Sequence, residues 1–177
     1  MNETAIPLVI LSGPVGVGKT SVGQEISAQL EDRSVPHTFV DLDGLAQTYP
    51  RPQDDPYGSD LALKNLKAVW ANAKDAGSLN LVVARVVETD EDVAAIAQVV
   101  PGAEPTVFQL SAADEVLVER VGRREMGSGH DWHANRAIEL ARSLKATGPC
   151  DHFIATDGRT IADIAGAIIT KVDWRSG

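Results

Sequence analysis

The chain has 177 residues, of which 44% are hydrophobic, and this length predicts one domain, 1–177, with a single substantial core. Asp and Glu residues number 25 against 16 Lys and Arg, so the net charge of -9 argues against nucleic acid or an anionic membrane as a partner. The apolar stretch 6–11 is too short to span a membrane and lacks the basic leader of a signal peptide, so we expect a cytoplasmic protein.

Short apolar runs alternate along the chain with segments of helical periodicity, which is typical of an α/β fold with a parallel sheet. We predict five buried strands, at 8–11, 38–40, 81–87, 106–110 and 152–155. A hydroxyl three residues before a carboxylate predicts helix starts near 90, 112 and 161, at Thr89, Ser111 and Thr160. The proline-rich segment 47–58 predicts an irregular loop.

A glycine-rich motif follows the first predicted strand. Residues 13–20 read Gly-Pro-Val-Gly-Val-Gly-Lys-Thr and match the phosphate-binding loop, or Walker A motif, G-x-x-x-x-G-K-S/T in full. Its glycines let the backbone curl so that successive N–H groups point inward, and the N-terminus of the following helix adds partial positive charge. The sequence therefore predicts nucleotide contacts from Gly13, Val15, Gly16, Val17, Gly18, Lys19, Thr20 and Ser21.

The last two residues of the motif predict specific roles. The Lys19 ammonium is expected on the β- and γ-phosphates, and the Thr20 hydroxyl is expected to bind Mg²⁺. A glycine-rich turn without a ligand is the alternative, but the Lys-Thr pair at its fixed offset argues against it. Because no Asn-Lys-x-Asp guanine motif occurs, we expect ATP rather than GTP.

With this loop, the chain resembles the P-loop small-molecule kinases, which include shikimate kinase, gluconate kinase, adenylylsulfate kinase and chloramphenicol phosphotransferase. Asp41-Leu-Asp43 follows the second predicted strand and is similar to the Asp-x-Asp that these kinases carry there. The resemblance implies that Asp41 is a base or a magnesium-side carboxylate and that Asp43 contacts the acceptor. It also implies a three-layer α/β/α fold with a five-stranded parallel sheet in the order 2-3-1-4-5. The alternative for Asp41-Leu-Asp43 is that these residues form only a solvated turn after the strand.

A run of arginines at 119–125 resembles the helix that leads into the lid of these kinases, and the lid itself is predicted at about 122–133. Arg120, Arg123 and Arg124 share one helix face, and the resemblance implies that Arg120 and Arg124 reach the transferring phosphoryl group. A solvated basic face paired with the neighbouring glutamates is the alternative. Arg159, in the turn after the fifth predicted strand, is expected to contact the base of the nucleotide.

The third predicted strand departs from many P-loop proteins because no aspartate stands at its end. Arg85 lies there instead, at the edge of the sheet where ligands gather in open α/β folds. It is predicted to bind an anionic or polar acceptor, with a structural ion pair as the alternative.

The predicted activity is transfer of the γ-phosphoryl group of ATP, with Mg²⁺ as cofactor, to a hydroxyl group of a small molecule. Two alternatives stay open. One is a nucleotide-dependent switch or assembly ATPase without a small acceptor. The other is a kinase of nucleotide sugars similar to the zeta toxins, whose acidic turn and following proline resemble Asp41-Leu-Asp43 and Tyr49-Pro50.

Overall fold

The protein is described by a computed structural model that covers the backbone of residues 5–124 and 130–177 and the side chains of 5–120 and 138–177. Five strands occur in these residues: β1 (Ile6–Ser12), β2 (His37–Asp41), β3 (Asn80–Ala84), β4 (Ala103–Ser111) and β5 (His152–Ala155). The helices are α1 (Lys19–Asp32), α2 (Ser59–Asp75), α3 (Asp90–Gln98), α4 (Asp114–Arg124), α5 (His130–Thr147) and α6 (Ile161–Ile169). A 3-10 helix, Leu42–Ala46, follows β2 directly.

The strands form one parallel sheet in the order β2-β3-β1-β4-β5, as predicted. Its two faces bury two different sets of side chains. Val9 and Leu11 of β1 belong to the cluster that includes apolar residues of α1 and α6, whereas Leu8 and Ile10 belong to the cluster that includes residues of α2 and α3. Because β1 is covered on both faces, its apolar run is continuous rather than alternating. Helices thus lie on both sides of the sheet.

Two of the predicted helix starts are confirmed and one is wrong. Thr89 and Thr160 cap α3 and α6 by accepting hydrogen bonds from the backbone N–H groups three residues later. Ser111 instead ends β4, where it is the ladder partner of Ala155 and its carbonyl accepts hydrogen bonds from Thr156. Helix α4 therefore begins two residues beyond the predicted position, at Asp114.

The third strand is shorter than predicted. Its ladder ends at Ala84, whereas the apolar pattern continues to Val87. The Val87 backbone N–H donates to the hydroxyl of buried Ser12 at 3.1 Å, so a side chain takes the place of a strand partner here. The regular ladder therefore ends one residue before Arg85.

Candidate nucleotide and acceptor site

Three glycines with positive φ angles, Gly13, Gly16 and Gly18, shape the loop between β1 and α1. Gly13 has φ of 140°, and a Cβ atom there would lie 2.5 Å from the Leu110 carbonyl oxygen. Gly18, the N-cap residue of α1, has φ of 106°, which side chains of L-residues rarely adopt. Lys19 begins the helix, and its ammonium donates to the carbonyl oxygens of Gly13 at 2.8 Å and Pro14 at 3.1 Å. The lysine therefore folds back over the loop.

Asp41 meets the loop helix at the carboxyl edge of the sheet. It is the last residue of β2, and its Oδ2 accepts a hydrogen bond of 2.7 Å from the Thr20 hydroxyl. Its Oδ1 accepts from the Asp43 backbone N–H at 3.2 Å, which caps the 3-10 helix. Both carboxylate oxygens are thus held by protein donors. The structure brings Thr20 and Asp41 together, as expected from parallel strands that end at one edge.

Arg85 forms an ion pair with Asp43. Its Nη1 donates to Asp43 Oδ1 at 2.7 Å, and its Nη2 donates to the hydroxyl of Ser59 at 3.1 Å. Ser59 is the first residue of α2, and the neighbouring Asp55 carboxylate accepts from the Ser59 backbone N–H at 2.7 Å. Sequence reasoning did not single out Ser59. The signal for it was its position directly after Gly58, at the start of an amphipathic helix.

Two further predicted arginines contact backbone atoms around the loop. Arg120 donates to the Val17 carbonyl oxygen at 3.2 Å, so α4 is joined to the phosphate-binding loop. Arg159 donates to the carbonyl oxygens of Ala155 at 3.5 Å and Asp163 at 3.1 Å, which holds it across the turn between β5 and α6. The side chains of Arg124 and of the whole predicted lid, 122–133, lie outside the described residues, as does the backbone of 125–129.

One cavity of about 600 Å³ joins these elements. The predicted residues that line it are those at 15–21 together with Asp41, Asp43, Arg120 and Arg159. Gly13 and Arg85 do not line it. Residues that were not named individually as site candidates also line it, including Gln47, Val86, Thr156 and Ile161. The cavity extends along the carboxyl edge of the sheet from the β5 side to the β2 side, which lie at opposite ends of the strand order.

The two ends of the cavity differ in chemistry. At the β5 end, Ile161 leaves 47% of its surface exposed beside Arg159, and Val15 of the loop is exposed by 45%. At the β2 end, the lining includes the carboxylates of Asp41 and Asp43 and the amide of Gln47. The cavity therefore offers an apolar surface on one side of the phosphate-binding loop and carboxylates on the other.

Comparison with known proteins gives matches in structure only. No protein-family model matches the chain, and no curated protein matches it in sequence. Among solved structures it is similar to the tunicamycin resistance protein of Deinococcus radiodurans, with 19% identity, a TM-score of 0.66, and coverage of 96% of this chain and 97% of that one.

Two solved kinases are similar over nearly their whole length. The shikimate kinase of Acinetobacter baumannii, solved with shikimate, has 16% identity and a TM-score of 0.61, covering 94% of this chain and 92% of that one. The gluconokinase of Sinorhizobium meliloti has 19% identity and a TM-score of 0.58, covering 95% and 92%. The predicted resemblance to P-loop small-molecule kinases is thus confirmed as a likeness of fold.

No helix in the described part of the chain is long and apolar enough to cross a membrane.

Proposed function

We propose that this protein transfers the γ-phosphoryl group of ATP to a hydroxyl group of a small molecule. The observation that carries the proposal is the 2.7 Å contact between the Thr20 hydroxyl and Asp41, beside a phosphate-binding loop and inside a cavity that continues to Asp43. Binding of a triphosphate needs only the loop with the Thr20–Asp41 contact. The part of the cavity that continues beyond Asp41 to Asp43 supplies the additional room that an acceptor requires.

The Thr20 and Asp41 oxygens fit a magnesium ion. Mg²⁺ prefers hard oxygen ligands and is commonly held by one or two protein groups together with substrate phosphates and water. When bound, it would neutralise charge on the β- and γ-phosphates. Both Asp41 oxygens already accept hydrogen bonds, one of them from Thr20, so we assign Asp41 to the magnesium side rather than to the general base.

The nucleotide is proposed to lie along the β5 half of the cavity. The backbone N–H groups of the loop and the ammonium of Lys19 would hold the phosphates. Ile161 and the guanidinium of Arg159 line the cavity where the base would lie. Arg120, which is hydrogen-bonded to the loop at Val17, would neutralise charge that spreads over the transferring phosphoryl oxygens. Arg124 is proposed to do the same.

The acceptor is proposed to lie at the β2 half, with its hydroxyl directed at Asp43. The oxygen of the acceptor hydroxyl would form a bond to the γ-phosphorus. At the same time the bond between that phosphorus and the oxygen that bridges it to the β-phosphate would break and leave its electron pair on ADP. The hydroxyl proton would pass to Asp43 Oδ2, because Oδ1 accepts from Arg85. Most of the acceleration would come from alignment and charge stabilisation.

The test is incubation with Mg-ATP and a pooled library of hydroxylated metabolites, antibiotics, nucleosides and nucleotide sugars, followed by mass spectrometry. We expect a product heavier by one phosphate group, and we expect Lys19→Ala and Asp41→Asn to abolish it. Lys67→Ala serves as the matched control, since Lys67 is exposed on α2 and does not line the cavity. ATP binding without phosphorylation of any library member would overturn the kinase proposal in favour of a switch or assembly ATPase.

A further inference from the structure

The guanidinium of Arg85 is already engaged on both of its terminal nitrogens. Nη1 donates to Asp43 at 2.7 Å and Nη2 donates to Ser59 at 3.1 Å. The Arg85 side chain is 20% exposed, whereas that of Asp43 is 62% exposed. The cation is therefore set back behind the carboxylate, and it does not itself line the cavity. A ligand carboxylate that approached Arg85 would have to share it with Asp43, which carries a like charge.

The cations that line the cavity, among the described residues, lie on the side where we propose the phosphates bind. Lys19 donates to the carbonyl oxygens of Gly13 and Pro14, Arg120 donates to Val17, and Arg159 crosses the turn after β5. At the β2 end, Asp41 is assigned to the magnesium side, so the charges beside the proposed acceptor are Asp43 and its partner Arg85. Among the described residues, no further cation lines this end of the cavity. An anionic group placed there would meet the Asp43 carboxylate without a cation to pair with, whereas a hydroxyl or ammonium group can donate to that carboxylate.

We propose that the acceptor carries no carboxylate and is a neutral or amine-bearing polyhydroxylated molecule, and that Arg85 is a positioning residue that orients Asp43. This inference rests on the proposed function, because it names the substrate class of the same site. Asp43 Oδ2 is the oxygen that faces the acceptor, and the ion pair at Oδ1 fixes the direction of the carboxylate. The shikimate kinase of similar fold was solved with an acid, so the two proteins would differ in acceptor charge.

The first experiment compares acceptors that keep the same hydroxyl groups and differ in charge. Glucuronate with glucuronamide and galacturonate with galacturonamide form the carboxylate sets, and glucosamine with N-acetylglucosamine and galactosamine with N-acetylgalactosamine form the amine sets, each added to the library pools sorted by charge. Phosphorylation under Mg-ATP is followed by mass spectrometry, with Lys19→Ala as background. We expect products from the neutral and amine pools and at least about tenfold lower kcat/KM for the carboxylate members of any matched set.

Two variants of one residue separate charge from positioning. Arg85→Gln leaves Asp43 without its cation, so the ratio of kcat/KM for amine acceptors to that for neutral acceptors should rise about fivefold. Arg85→Lys keeps the positive charge and should leave that ratio unchanged, although KM for both classes should increase because a lysine cannot hold Asp43 and Ser59 together. If Arg85 served only folding, both variants would lose activity towards amine and neutral acceptors to the same extent, and the ratio of kcat/KM would not change.

The outcomes are distinguishable from failure of the proposed function. Preferential phosphorylation of carboxylate acceptors, lost selectively in Arg85→Gln, would show that Arg85 binds the acceptor directly and would overturn this inference while leaving the kinase in place. An unchanged ratio in Arg85→Gln would overturn the charge argument, and an unchanged KM in Arg85→Lys would overturn the positioning role. Absence of a phosphorylated product in all charge classes would overturn the proposed function and this inference with it.

Discussion

The phosphate-binding loop is built in the opposite way to the β2 end of the cavity, where we propose that the acceptor binds and which we call the acceptor end. The loop is one continuous stretch, and its shape depends on backbone conformation at Gly13 and Gly18. The acceptor end is assembled from side chains far apart in sequence, where Asp43 meets Arg85 and Arg85 meets Ser59. A site made by the backbone leaves a contiguous motif, whereas a site made by side chains becomes visible only when the strands and helices are in place.

The substitution with the largest expected effect breaks the hydrogen bond between Thr20 and Asp41, which links these two regions. Thr20→Val removes the hydroxyl that donates to Asp41 and keeps the branched shape, so we expect kcat to fall about a hundredfold or more. Thr20→Ser is the matched control, since it keeps the hydroxyl and should retain most of the activity. The measurement is initial rate of ADP formation against Mg²⁺ concentration, with the acceptor found in the library. Equal rates in both variants would contradict the account of this contact.

A second prediction sharpens the contrast between backbone and side chains. Gly13→Ala should destabilise the fold by about 2 kcal/mol or more, because a Cβ atom would lie 2.5 Å from the Leu110 carbonyl oxygen at a φ of 140°. Gly44→Ala lies at the acceptor end, where a Cβ atom would have no neighbour within 4 Å, and it should change stability by less than about 0.5 kcal/mol.

Urea unfolding followed by circular dichroism measures both glycine variants. The expected difference is a lower unfolding midpoint for Gly13→Ala at an unchanged slope. Equal midpoints would mean that the loop tolerates side chains and that its conformation is not fixed as the structure describes.

A third prediction concerns the ion pair at the acceptor end, whose role we assign to positioning and not to stability. Asp43 is largely exposed, so solvent screens its interaction with Arg85, and Arg85→Gln should lower the free energy of unfolding by less than about 1 kcal/mol. The same urea experiment checks this, and Leu66→Ala provides the contrast. Leu66 is fully buried under the sheet, and its truncation should cost about 2–5 kcal/mol. A loss in Arg85→Gln as large as that in Leu66→Ala would refute the positioning assignment.

The smallest expected effect concerns Cys150, which lies away from both regions. Cys150 is exposed, but desolvation by the surrounding protein atoms raises the pKa of its thiol, a backbone hydrogen bond from Gln109 opposes this, and the charge of Asp151 raises the pKa further. Less thiolate is therefore present near neutral pH than for a free cysteine, so alkylation should be slower and should accelerate as the pH rises. Iodoacetamide labelling rates measured against free cysteine between about pH 7 and pH 10 test this. Faster labelling than free cysteine would contradict it.

Much of the fold was predictable because its signals are local. The apolar runs located all five strands, and the Thr89 and Thr160 capping patterns located two helix starts. The errors came from tertiary contacts. Val87 looks like a strand residue, yet its backbone bonds to the Ser12 hydroxyl, and Ser111 looks like a helix cap, yet it continues β4.

The candidate site divides in the same way. The loop and Asp41-Leu-Asp43 were predictable, since each is a short pattern next to a predicted strand. The partners of Arg85 were not, because Asp43 reaches it from the 3-10 helix after β2, and the position of Ser59 depends on where α2 begins after the irregular segment 47–58. Both alternatives for Arg85 had been open in the sequence, and the structure favours the ion pair. The roles of these residues in catalysis stay predictions.

The most direct test of the central claim uses ATP whose non-bridging γ-oxygens carry oxygen-18. With Mg²⁺ and the acceptor, the account predicts a phosphorylated product that contains all three labelled oxygens and keeps the acceptor's own unlabelled oxygen in the new bond. Mass spectrometry of the product and of free phosphate distinguishes the possibilities. Labelled inorganic phosphate without labelled product would show that water is the acceptor, and it would contradict the assignment of the protein as a small-molecule kinase.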